Sequence, residues 1–440
     1  MNKIIVRGGN PLVGEVKISG AKNSALKIMA ASILTSEPVV IGNVPYIRDV
    51  SVMSEVLGEL GLSVERTNGS VTLQAKGPIG MEAPYQLVSQ MRASIIVLGP
   101  LLARLGRARV AMPGGCNIGL RKIDLHIRGL EMLGAKIDVG QASIEARADV
   151  LVGANIPLDF PSVGATENIM MAACLARGTT VLDNAAREPE IVDLADCLNQ
   201  MGACISGAGT STMIIEGVDR LHGVSFNIIP DRIEAGTFLV AGAITGGDLT
   251  VTSVKPEQMG MVLKKLEQIG YKVDVGDSTV NIKGAGGPCG INISTLPHPG
   301  FPTDMQASFM SLLSLAEGTS IITENIFENR FSFVQELNHL GGRVNIERHH
   351  AVVIGKRTFG AGTVKAPDLR AGAALVVAGL AAGGLVEISD IHHIERGYEN
   401  FTGRLQVLGA DIELAPDERP LELAVKEEEG YDIPDISAGL

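Results

Sequence analysis

The sequence has no tryptophan, and aromatic residues make up only 3% of its 440 positions. A core without large rings has to be filled by Ala, Leu, Val, Ile and Met, and the 53 glycines let backbones approach closely. Apolar residues reach 45% and charged residues 20%, which is typical of a globular chain. The length predicts two domains of about 200 residues each.

Long apolar runs are also missing. No run reaches 18 residues without a charge or a break, so we expect no membrane span. The opening residues, Met1 to Arg7, lack the apolar stretch of a signal peptide. The five cysteines have no paired spacing, which indicates a reducing, cytoplasmic location. Four of them are predicted to be small buried core residues: Cys174, Cys197, Cys204 and Cys289.

Several function classes lack their signatures. The formal net charge is −12, and no basic stripe is present, which argues against a general nucleic-acid binder. The chain contains neither GxxxxGK[ST] nor GxGxxG, which argues against a nucleoside triphosphatase or a Rossmann dehydrogenase. The pairs His349-His350 and His392-His393 have no metal-ligand partners at useful spacing. We therefore expect no metal and no cofactor.

A large apolar residue followed by glycine recurs at the end of each predicted amphipathic helix. Successive glycines lie 68 to 73 residues apart, and a period held six times indicates an internal repeat. The six pairs are Leu60-Gly61, Leu133-Gly134, Met201-Gly202, Ile269-Gly270, Leu340-Gly341 and Leu408-Gly409. Glycine at this place predicts a helix C-terminal cap.

Each copy predicts the same unit of strand, helix, strand, helix and two strands, which makes this an α/β protein. The second helix is amphipathic, whereas the first is rich in small residues, so the first helices would pack centrally with the sheets outside. The first helices are predicted at Ser24–Leu34, Ala93–Leu105, Glu167–Ala176, Ala235–Ile244, Met305–Ala316 and Ala371–Ala382. Asn68-Gly69 predicts a type I′ turn in the hairpin of the first copy.

Three copies per domain place the domain boundary near residue 228. No earlier repeat supplies the opening strand of the first copy, so we expect Ile4–Ile18 to supply it. The predicted first domain spans 20–228, and the second spans 1–19 plus 229–424, with the N-terminal strand crossing over. Residues 425–440 are acidic and lack the repeat pattern, which predicts a solvated tail.

Charged residues gather just before, or in the first turn of, the small-residue helices. Helix N-termini carry unpaired N–H groups and the positive end of the helix dipole, so they bind anions. Asp231 and Asp368 have two readings at such positions, as helix caps or as ligand groups. Lys22, Arg92 and Arg370 cannot be caps, and the dipole disfavours a cation there unless an anion is present.

Three more arginines extend this set. Arg330 and Arg396 fall in strand-to-helix turns of the repeat, and Arg121 follows a glycine-rich loop. A cleft between two domains would thus gather about six cations in an acidic protein, which suits substrates with several phosphate and carboxylate charges.

That glycine-rich loop, Pro113 to Gly119, carries the fifth cysteine. Three glycines surround Cys116, so the backbone can take positive φ and the thiol has little cover. At its ordinary pKa of about 8.5 such a thiol is mostly protonated at neutral pH, yet nucleophilic once ionised. The loop therefore predicts an exposed, reactive cysteine.

These motifs together resemble one family. They are Gly20-Ala21-Lys22-Asn23, Met91-Arg92-Ala93-Ser94, Pro113-Gly114-Gly115-Cys116, Asn184-Ala185-Ala186-Arg187-Glu188-Pro189-Glu190, Phe301-Pro302-Thr303-Asp304 and Phe327-Glu328-Asn329-Arg330. In this order, over about residues 4–412, they are similar to the UDP-N-acetylglucosamine 1-carboxyvinyltransferases of the enolpyruvyl transferase family. The resemblance implies two inside-out α/β barrels of three βαβαββ repeats each, as in EPSP synthase.

The resemblance also implies a reaction. The family moves enolpyruvyl from phosphoenolpyruvate to the 3-hydroxyl of UDP-N-acetylglucosamine and releases phosphate, the first committed step of peptidoglycan synthesis, on which cell shape and division depend. Cys116 resembles the residue that protonates C3 of phosphoenolpyruvate and forms a covalent phospholactoyl (pyruvate) adduct. We expect fosfomycin to alkylate this thiol. Asp304 resembles the proposed base for the sugar hydroxyl.

The remaining site residues are implied in the same way. The phosphoenolpyruvate site would comprise Lys22, Asn23, Arg121, Arg330, Arg370 and Arg396, with Lys22, Arg121 and Arg396 on the phosphate and Arg330 and Arg370 near the carboxylate. The sugar-nucleotide site would comprise Arg92, Arg121, Lys122, Ile123, Asp124, Leu125, Ser162, Val163, Gly164, Asp304 and Ile326. The glycine-rich loop would close over it as a lid. Lys122 stands where the family usually has proline, so the stiffness of the loop is open.

Two other functions stay open. One is the sister reaction on shikimate 3-phosphate, against which the cysteine loop and the sugar-nucleotide motif argue. The other is a non-catalytic paralogue that binds UDP-N-acetylglucosamine. The expected partners are these small molecules, without nucleic acid or membrane, and the oligomeric state is open.

The substitution Cys116→Ala tests the proposed acid. We expect it to abolish turnover near neutral pH, because no other group on the loop can donate the proton, while UDP-N-acetylglucosamine still binds. Phosphate release and calorimetric titration measure the two effects. Turnover at the wild-type rate would remove the thiol from the proton transfer.

Overall fold

The computed structural model describes residues 2–83, 85–88, 91–112, 123–284, 286–355 and 358–417. Within this part of the chain, strands β1 to β24 form six four-stranded sheets. The predicted acidic tail at 425–440 and the cysteine loop lie outside the described residues. No helix of the described residues combines the length and the apolar character needed to cross a bilayer.

The strands follow the chain in order. They are β1 (Asn2–Arg7), β2 (Val13–Lys17), β3 (Val39–Gly42), β4 (Ser63–Thr67), β5 (Ser70–Gln74), β6 (Glu82–Ala83), β7 (Arg107–Ala111), β8 (Lys136–Val139), β9 (Ser143–Arg147), β10 (Asn155–Pro157), β11 (Thr179–Asp183), β12 (Cys204–Ser206), β13 (Thr212–Glu216), β14 (Val224–Asn227), β15 (Asp248–Thr252), β16 (Lys272–Val275), β17 (Thr279–Lys283), β18 (Ile293–Ser294), β19 (Thr319–Thr323), β20 (Val344–Glu347), β21 (His350–Ile354), β22 (Gly362–Lys365), β23 (Leu385–Ser389) and β24 (Asp411–Pro416).

The α-helices fall into two sets. The small-residue helices are α1 (Lys22–Ala31), α4 (Leu98–Leu105), α6 (Val163–Ala173), α8 (Arg232–Ile244), α10 (Gln306–Leu313) and α12 (Leu369–Leu380). The others are α2 (Arg48–Glu59), α3 (Tyr85–Val88), α5 (Asp124–Met132), α7 (Pro189–Gln200), α9 (Gly260–Ile269), α11 (Val334–His339), α13 (His392–Glu395) and α14 (Phe401–Val407). Short 3₁₀ turns cover Ser32–Leu34, Arg92–Val97, Pro256–Met259 and Thr303–Met305.

The six-fold repeat is confirmed, both in the sheets and in the backbone. In each sheet the first strand runs parallel to the second, and an antiparallel strand lies between the second strand and the edge; this strand belongs to a hairpin in five sheets and is β1 in the sixth. All six glycines that end the amphipathic helices have φ between +90° and +111°. Their left-handed conformation is what favours glycine at this point of every copy.

The arrangement of helices inside and sheets outside is also confirmed. Helices α8, α10 and α12 contact one another, as do α4 and α6. Every residue of α12 is buried, and so is every residue of α8 after Arg232. A helix buried on all sides needs small or flexible side chains, which explains the scarcity of aromatic residues.

The apolar side chains form two separate cores. One core takes residues from Ala25 to Ile228, and the other takes residues from Ile4 to Ile18 and from Ile233 to Ile412. We call the parts built around them the first and the second lobe. The domain boundaries at 19/20 and 228/229 stay a prediction, which this division of the cores supports.

The expected role of Ile4–Ile18 is wrong. The opening strand of the first copy is β14, which runs parallel to β3. Strand β2 instead opens the fourth sheet beside β15, and β1 lies between β23 and β24 in the sixth. The N-terminal segment thus belongs to the second lobe, and β1 takes the position in the sixth sheet that a hairpin strand takes in the other five.

Two smaller predictions are also wrong. The hairpin from β4 to β5 exists, but only Gly69 of its turn has positive φ (72°), whereas a type I′ turn needs it at Asn68 as well. Cys174 and Cys197 are buried as predicted, but Cys204 and Cys289 are exposed. Cys204 occupies an outward-facing position of the edge strand β12, so its side chain is exposed, whereas the next residue, Ile205, faces the core.

The chain passes between the lobes twice, and the two passages pair with each other. The amide of Ala21 donates to the carbonyl of Ile229 at 2.7 Å, and the amide of Asp231 donates to the carbonyl of Ser19 at 2.9 Å. Gly20 is required here, since a Cβ would lie 1.8 Å from the carbonyl oxygen of Asn43.

A matched pair of glycine substitutions tests the tight centre of the fold. Gly242→Ala would put a methyl group 2.8 Å from Cβ of Leu249, so we expect a loss of about 1–3 kcal/mol in unfolding free energy. Gly260→Ala, with no neighbour within 4 Å, should gain about 0.4–1 kcal/mol. Denaturant titration measures both. Equal effects would contradict close packing at residue 242.

Candidate active site

A cavity of about 660 Å³ lies between the lobes and is lined by residues of both. We call it the cleft. It gathers twelve of the residues predicted for the two substrates: Lys22, Asn23, Asp124, Leu125, Ser162, Val163, Gly164, Asp304, Ile326, Arg330, Arg370 and Arg396. These residues come from five copies of the repeat, and the fourth copy lines the cleft with Arg232 and Ile233, which explains why the lining residues are so far apart in sequence.

The first charged group in the cleft is centred on Asp49, in the first turn of α2. Its Oδ2 lies 3.0 Å from Nζ of Lys22, and its Oδ1 lies 2.9 Å from Nε of Arg396. Burial raises the pKa of the Asp49 carboxyl, but Lys22 and Arg396 outweigh this effect, so the pKa lies below its usual value. An ionised Asp49 therefore holds one cation from each lobe.

The second charged group is centred on Asp304, within the second lobe. Nη2 of Arg330 lies 2.8 Å from its Oδ1, and Nε and Nη2 of Arg370 lie 3.3 and 3.2 Å from its Oδ2. Burial would raise the pKa of Asp304, but the charges of Arg370, Arg330 and Lys22 hold it far below its usual range. Asp304 is thus an ionised counter-ion for two arginines.

Arg370 keeps an unused donor. Its Nη1 is buried and has no hydrogen-bond partner among the described residues. A buried guanidinium donor without an acceptor is unfavourable by about 1–3 kcal/mol.

The two uncertain aspartates are helix caps. Oδ1 of Asp231 accepts from the amides of Ile233 and Glu234, and Oδ1 of Asp368 accepts from two amides of α12. Asp231 also accepts the amide of Lys22 through Oδ2 at 3.2 Å. Besides capping α8, it therefore fixes the start of α1 where the chain crosses between the lobes.

A different wall of the cleft is formed by the start of α6 and the start of α5. Ser162 caps α6 by accepting the amide of Ala165, and the residues that follow, Val163 and Gly164, line the cavity. Asp124 and Leu125 line it from α5. The first-turn amides of a helix have no intrahelical partner, so this wall can accept an anionic group.

Several predicted residues are not tested by this geometry. Cys116, Arg121 and Lys122 lie outside the described residues, and so does the side chain of Arg92, which begins the 3₁₀ turn before α4. Ile123 does not line the cleft and packs against the first core instead. Among the described residues, no group of His, Cys, Asp or Glu side chains is suited to hold a metal ion.

A second ion pair crosses the cleft, and the sequence motifs did not indicate it. Glu190, in the first turn of α7, lies 3.1 and 3.2 Å from Nε and Nη2 of Arg232, which begins α8 in the other lobe. Burial raises the pKa of Glu190, but the charge of Arg232 prevails and lowers it. Next to it, Glu188 accepts the amide of His298 at 3.2 Å. These contacts join the two lobes beside the cleft.

Asp49 was missed as well. An acidic residue in the first turn of an amphipathic helix is ordinary, because it complements the helix dipole, so its sequence context carried no signal. Asp49 could have been identified only by comparing the N-terminal turns of both helices in each copy of the repeat.

The fold and the cleft together define a class: a two-lobed α/β protein of six repeats that gathers cations around a site for anionic ligands. The family model described as EPSP synthase (3-phosphoshikimate 1-carboxyvinyltransferase) matches residues 6–405. The chain belongs to this family of carboxyvinyl transferases.

Known proteins agree with this placement. The chain is 51% identical over 410 residues to UDP-N-acetylglucosamine 1-carboxyvinyltransferase 1 of Caldanaerobacter subterraneus subsp. tengcongensis, covering 93% of this chain and 99% of that protein. The crystal structure of the enolpyruvyl transferase NikO from Streptomyces tendae superposes with a TM-score of 0.85 at 29% identity, over 94% of this chain and 99% of that one. EPSP synthase from Acinetobacter baumannii shares the fold, with a TM-score of 0.74 at 18% identity over 94% and 100% of the two chains.

The ion pair across the cleft gives a stability prediction. Glu190→Ala leaves the buried Arg232 without its bidentate partner, so we expect a loss of about 3–5 kcal/mol in unfolding free energy at neutral pH. Because the pKa of Glu190 is lower in the folded chain than its ordinary 4.5, the loss should shrink as pH falls below that value.

The matched control is an exposed pair. Asp159 bonds Arg128 at 2.7 Å on the surface, so Asp159→Ala should change stability by at most about 1 kcal/mol. Thermal and denaturant unfolding at several pH values compare the variants. A loss for Glu190→Ala no larger than that of the control would contradict a structural role for the buried pair.

Proposed function

We propose that this protein transfers the enolpyruvyl group of phosphoenolpyruvate to the 3-hydroxyl of UDP-N-acetylglucosamine and releases phosphate. The observation that carries the proposal is the 51% identity to a relative that is named for this reaction. The match covers 99% of the length of that relative. The cations of the cleft support it, because phosphoenolpyruvate brings a phosphate and a carboxylate, and the nucleotide brings a diphosphate. A cytoplasmic role in peptidoglycan synthesis, and thereby in cell shape and division, is part of the same proposal.

The two charged groups suit the two ends of phosphoenolpyruvate. Lys22 and Arg396, which share Asp49, would bind the phosphate together with Arg121. Arg330 and Arg370, which share Asp304, would bind the carboxylate, and Asn23 lies beside Lys22 at the start of α1. In each group the ligand would take over cations that an aspartate now neutralises, so the unliganded cleft avoids unpaired buried charge.

The chemistry requires an acid at C3 and a base at the sugar hydroxyl. Cys116 would protonate C3, which makes C2 electrophilic, and the 3-hydroxyl would add to C2 as Asp304 takes its proton. Loss of a C3 proton and of phosphate from C2 then leaves the enolpyruvyl ether. Attack of the Cys116 thiolate on C2 would give the covalent adduct instead, and the same thiolate would open the epoxide of fosfomycin.

Asp304 is a weak base while both arginines bind it. A carboxylate whose pKa lies far below its usual range has little tendency to take a proton. When the carboxylate of phosphoenolpyruvate bonds Arg330 and Arg370, part of their charge is neutralised and the pKa of Asp304 rises. Binding of the first substrate would thereby prepare the base for the second, which joins the ligand site to the proton transfer.

The wall formed by α5 and α6 would hold the sugar nucleotide. Asp124, Leu125, Ser162, Val163 and Gly164 line it, and the amides at the start of α6 would face a phosphate group. Ile326 lines the cleft close in sequence to Arg330 and would contact the sugar beside Asp304. The side chains of Arg92, Arg121 and Lys122 would complete this site.

The substitution Asp304→Ala tests the base. We expect turnover to fall by about 10²-fold or more, with the fold retained, because the sugar hydroxyl loses its proton acceptor. Asp274→Ala, at an exposed strand position paired with Lys272, is the control and should keep the wild-type rate. Steady-state phosphate release and circular dichroism measure the two properties. Wild-type turnover in Asp304→Ala would exclude this residue as the base.

The function itself is tested by the choice of acceptor. Phosphate release from phosphoenolpyruvate is measured with UDP-N-acetylglucosamine and, separately, with shikimate 3-phosphate. Release with the nucleotide alone is expected, whereas release with shikimate 3-phosphate alone would replace the proposed acceptor. A folded sample that binds the nucleotide but releases no phosphate with either acceptor would be a binding paralogue.

A further inference from the structure

Three aromatic rings lie next to one another in a protein that has few of them. The ring centroids of Tyr398 and Phe401 are 4.8 Å apart, and those of Phe401 and Phe238 are 5.6 Å apart. The guanidinium of Arg370 lies over the ring of Tyr398, with its Cζ 5.4 Å from the ring centroid. At this distance the face of a ring attracts a cation. The row of rings therefore ends at a cation of the cleft.

The hydroxyl of Tyr398 is fixed by Thr237, in the middle of α8. The two hydroxyl oxygens are 2.9 Å apart, and Oγ1 of Thr237 also lies 2.8 Å from the carbonyl oxygen of Ile233. That carbonyl can only accept, so it takes the one hydrogen of the threonine hydroxyl, and Tyr398 donates the hydrogen between the two hydroxyls. Burial raises the pKa of Tyr398, although the charge of Arg370 opposes this effect, so the tyrosine keeps its hydrogen at neutral pH.

The backbone also holds this ring against the start of α12. Tyr398 follows Gly397, where a Cβ would lie 2.5 Å from Cδ1 of Leu369, the residue before Arg370. Glycine therefore lets the turn approach α12 closely. The amide of Tyr398 donates to the carbonyl of Ile394 at 3.1 Å, which ties the turn to α13. The position of the ring relative to Arg370 is thus set by the backbone as well as by Thr237.

Arg370 needs such a support because its other partner is proposed to change during the reaction. The guanidinium donates through Nε and Nη2 to Oδ2 of Asp304. Asp304 is the proposed base, so its charge is lost when it takes the proton of the sugar hydroxyl. The ion pair then weakens, whereas the attraction between the cation and the ring of Tyr398 does not depend on the charge of Asp304.

We propose that Tyr398 is a positioning residue: its ring, anchored through the hydroxyl on Thr237, holds the guanidinium of Arg370 in place for the carboxylate of phosphoenolpyruvate. The carboxylate as ligand rests on the proposed function, whereas the hold of the ring on Arg370 does not. A guanidinium recognises a carboxylate through donors that lie in one plane, so a tilt of that plane weakens binding. The contact with the ring limits this tilt without using any of the donors.

Two substitutions of Tyr398 separate the ring from the hydroxyl. Tyr398→Leu removes both, so the KM for phosphoenolpyruvate at saturating UDP-N-acetylglucosamine should rise about tenfold, whereas the dissociation constant of the nucleotide should not change. Tyr398→Phe keeps the ring but loses its anchor, so we expect a rise of about threefold. Phosphate release and calorimetric titration measure the two properties. An unchanged KM in Tyr398→Leu, or an equal loss of affinity for both substrates, would overturn the proposal.

The control is a buried tyrosine elsewhere in the second lobe. Tyr271, between α9 and β16, belongs to the same apolar core and does not line the cleft. Tyr271→Leu removes a comparable ring from the interior, so it should lower stability to a similar extent but keep the wild-type KM for phosphoenolpyruvate. If the KM rises as much as in Tyr398→Leu, the loss of a buried ring explains both variants and the proposal is wrong.

Variants of Thr237 test the anchor with the tyrosine intact, and they apply if Tyr398→Leu does not fold. Thr237→Val has a similar shape but no acceptor, so the ring loses its hydrogen bond, and the KM for phosphoenolpyruvate should rise as in Tyr398→Phe. Thr237→Ser keeps the acceptor and should bind phosphoenolpyruvate like the wild type. Equal KM values for the two variants would contradict the anchored ring and thereby the proposal.

A double-mutant cycle on stability tests the hold of the ring without any substrate. Tyr398→Leu and Arg370→Met each remove the same contact, so their losses in unfolding free energy should not add in the double variant. Additive losses would show that the two side chains do not interact, against the proposal. If the wild-type protein releases no phosphate from phosphoenolpyruvate, the proposed function fails, and this cycle still decides whether Tyr398 holds Arg370.

Discussion

The neutralisation of convergent cations by two aspartates is the constraint on which the cleft depends. Lys22 and Arg396 approach each other across the lobes because Asp49 lies between them, and Arg330 and Arg370 share Asp304 in the same way. Without these carboxylates, four cations would stand in one partly buried cavity and repel each other. The unliganded protein thus carries internal anions where the substrate anions are proposed to bind.

The repeat explains how such a site arises. Each copy directs the N-terminus of a small-residue helix to the same side, so that three helix ends from each lobe face the cleft. The dipoles alone would repel Lys22 at the start of α1 and Arg370 at the start of α12. In the unliganded protein the ion pairs with Asp49 and Asp304 compensate this repulsion.

Most of the fold could be predicted from the sequence, because the period of the Gly-capped helix is local information repeated six times. The pairing of strands from distant segments could not be predicted from the sequence. The opening strand of the first copy is Val224–Asn227, and β1 pairs with β24 at the other end of the described chain. Such pairings depend on where the ring of each lobe closes, which no local pattern records.

The site shows the same division. Residues in recognisable motifs, such as Lys22, Asp304 and Arg370, were predicted and lie in the cleft, whereas Asp49 and Asn168 were missed. Both missed residues act on another side chain of the cleft, and such contacts exist only once the helices have packed. Asn168 lies in a buried helix of the first lobe, and its Nδ2 lies 3.0 Å from Nδ1 of His126 at the cleft wall. The motifs therefore mark the groups proposed to touch substrate, and the structure adds the residues that hold those groups in place.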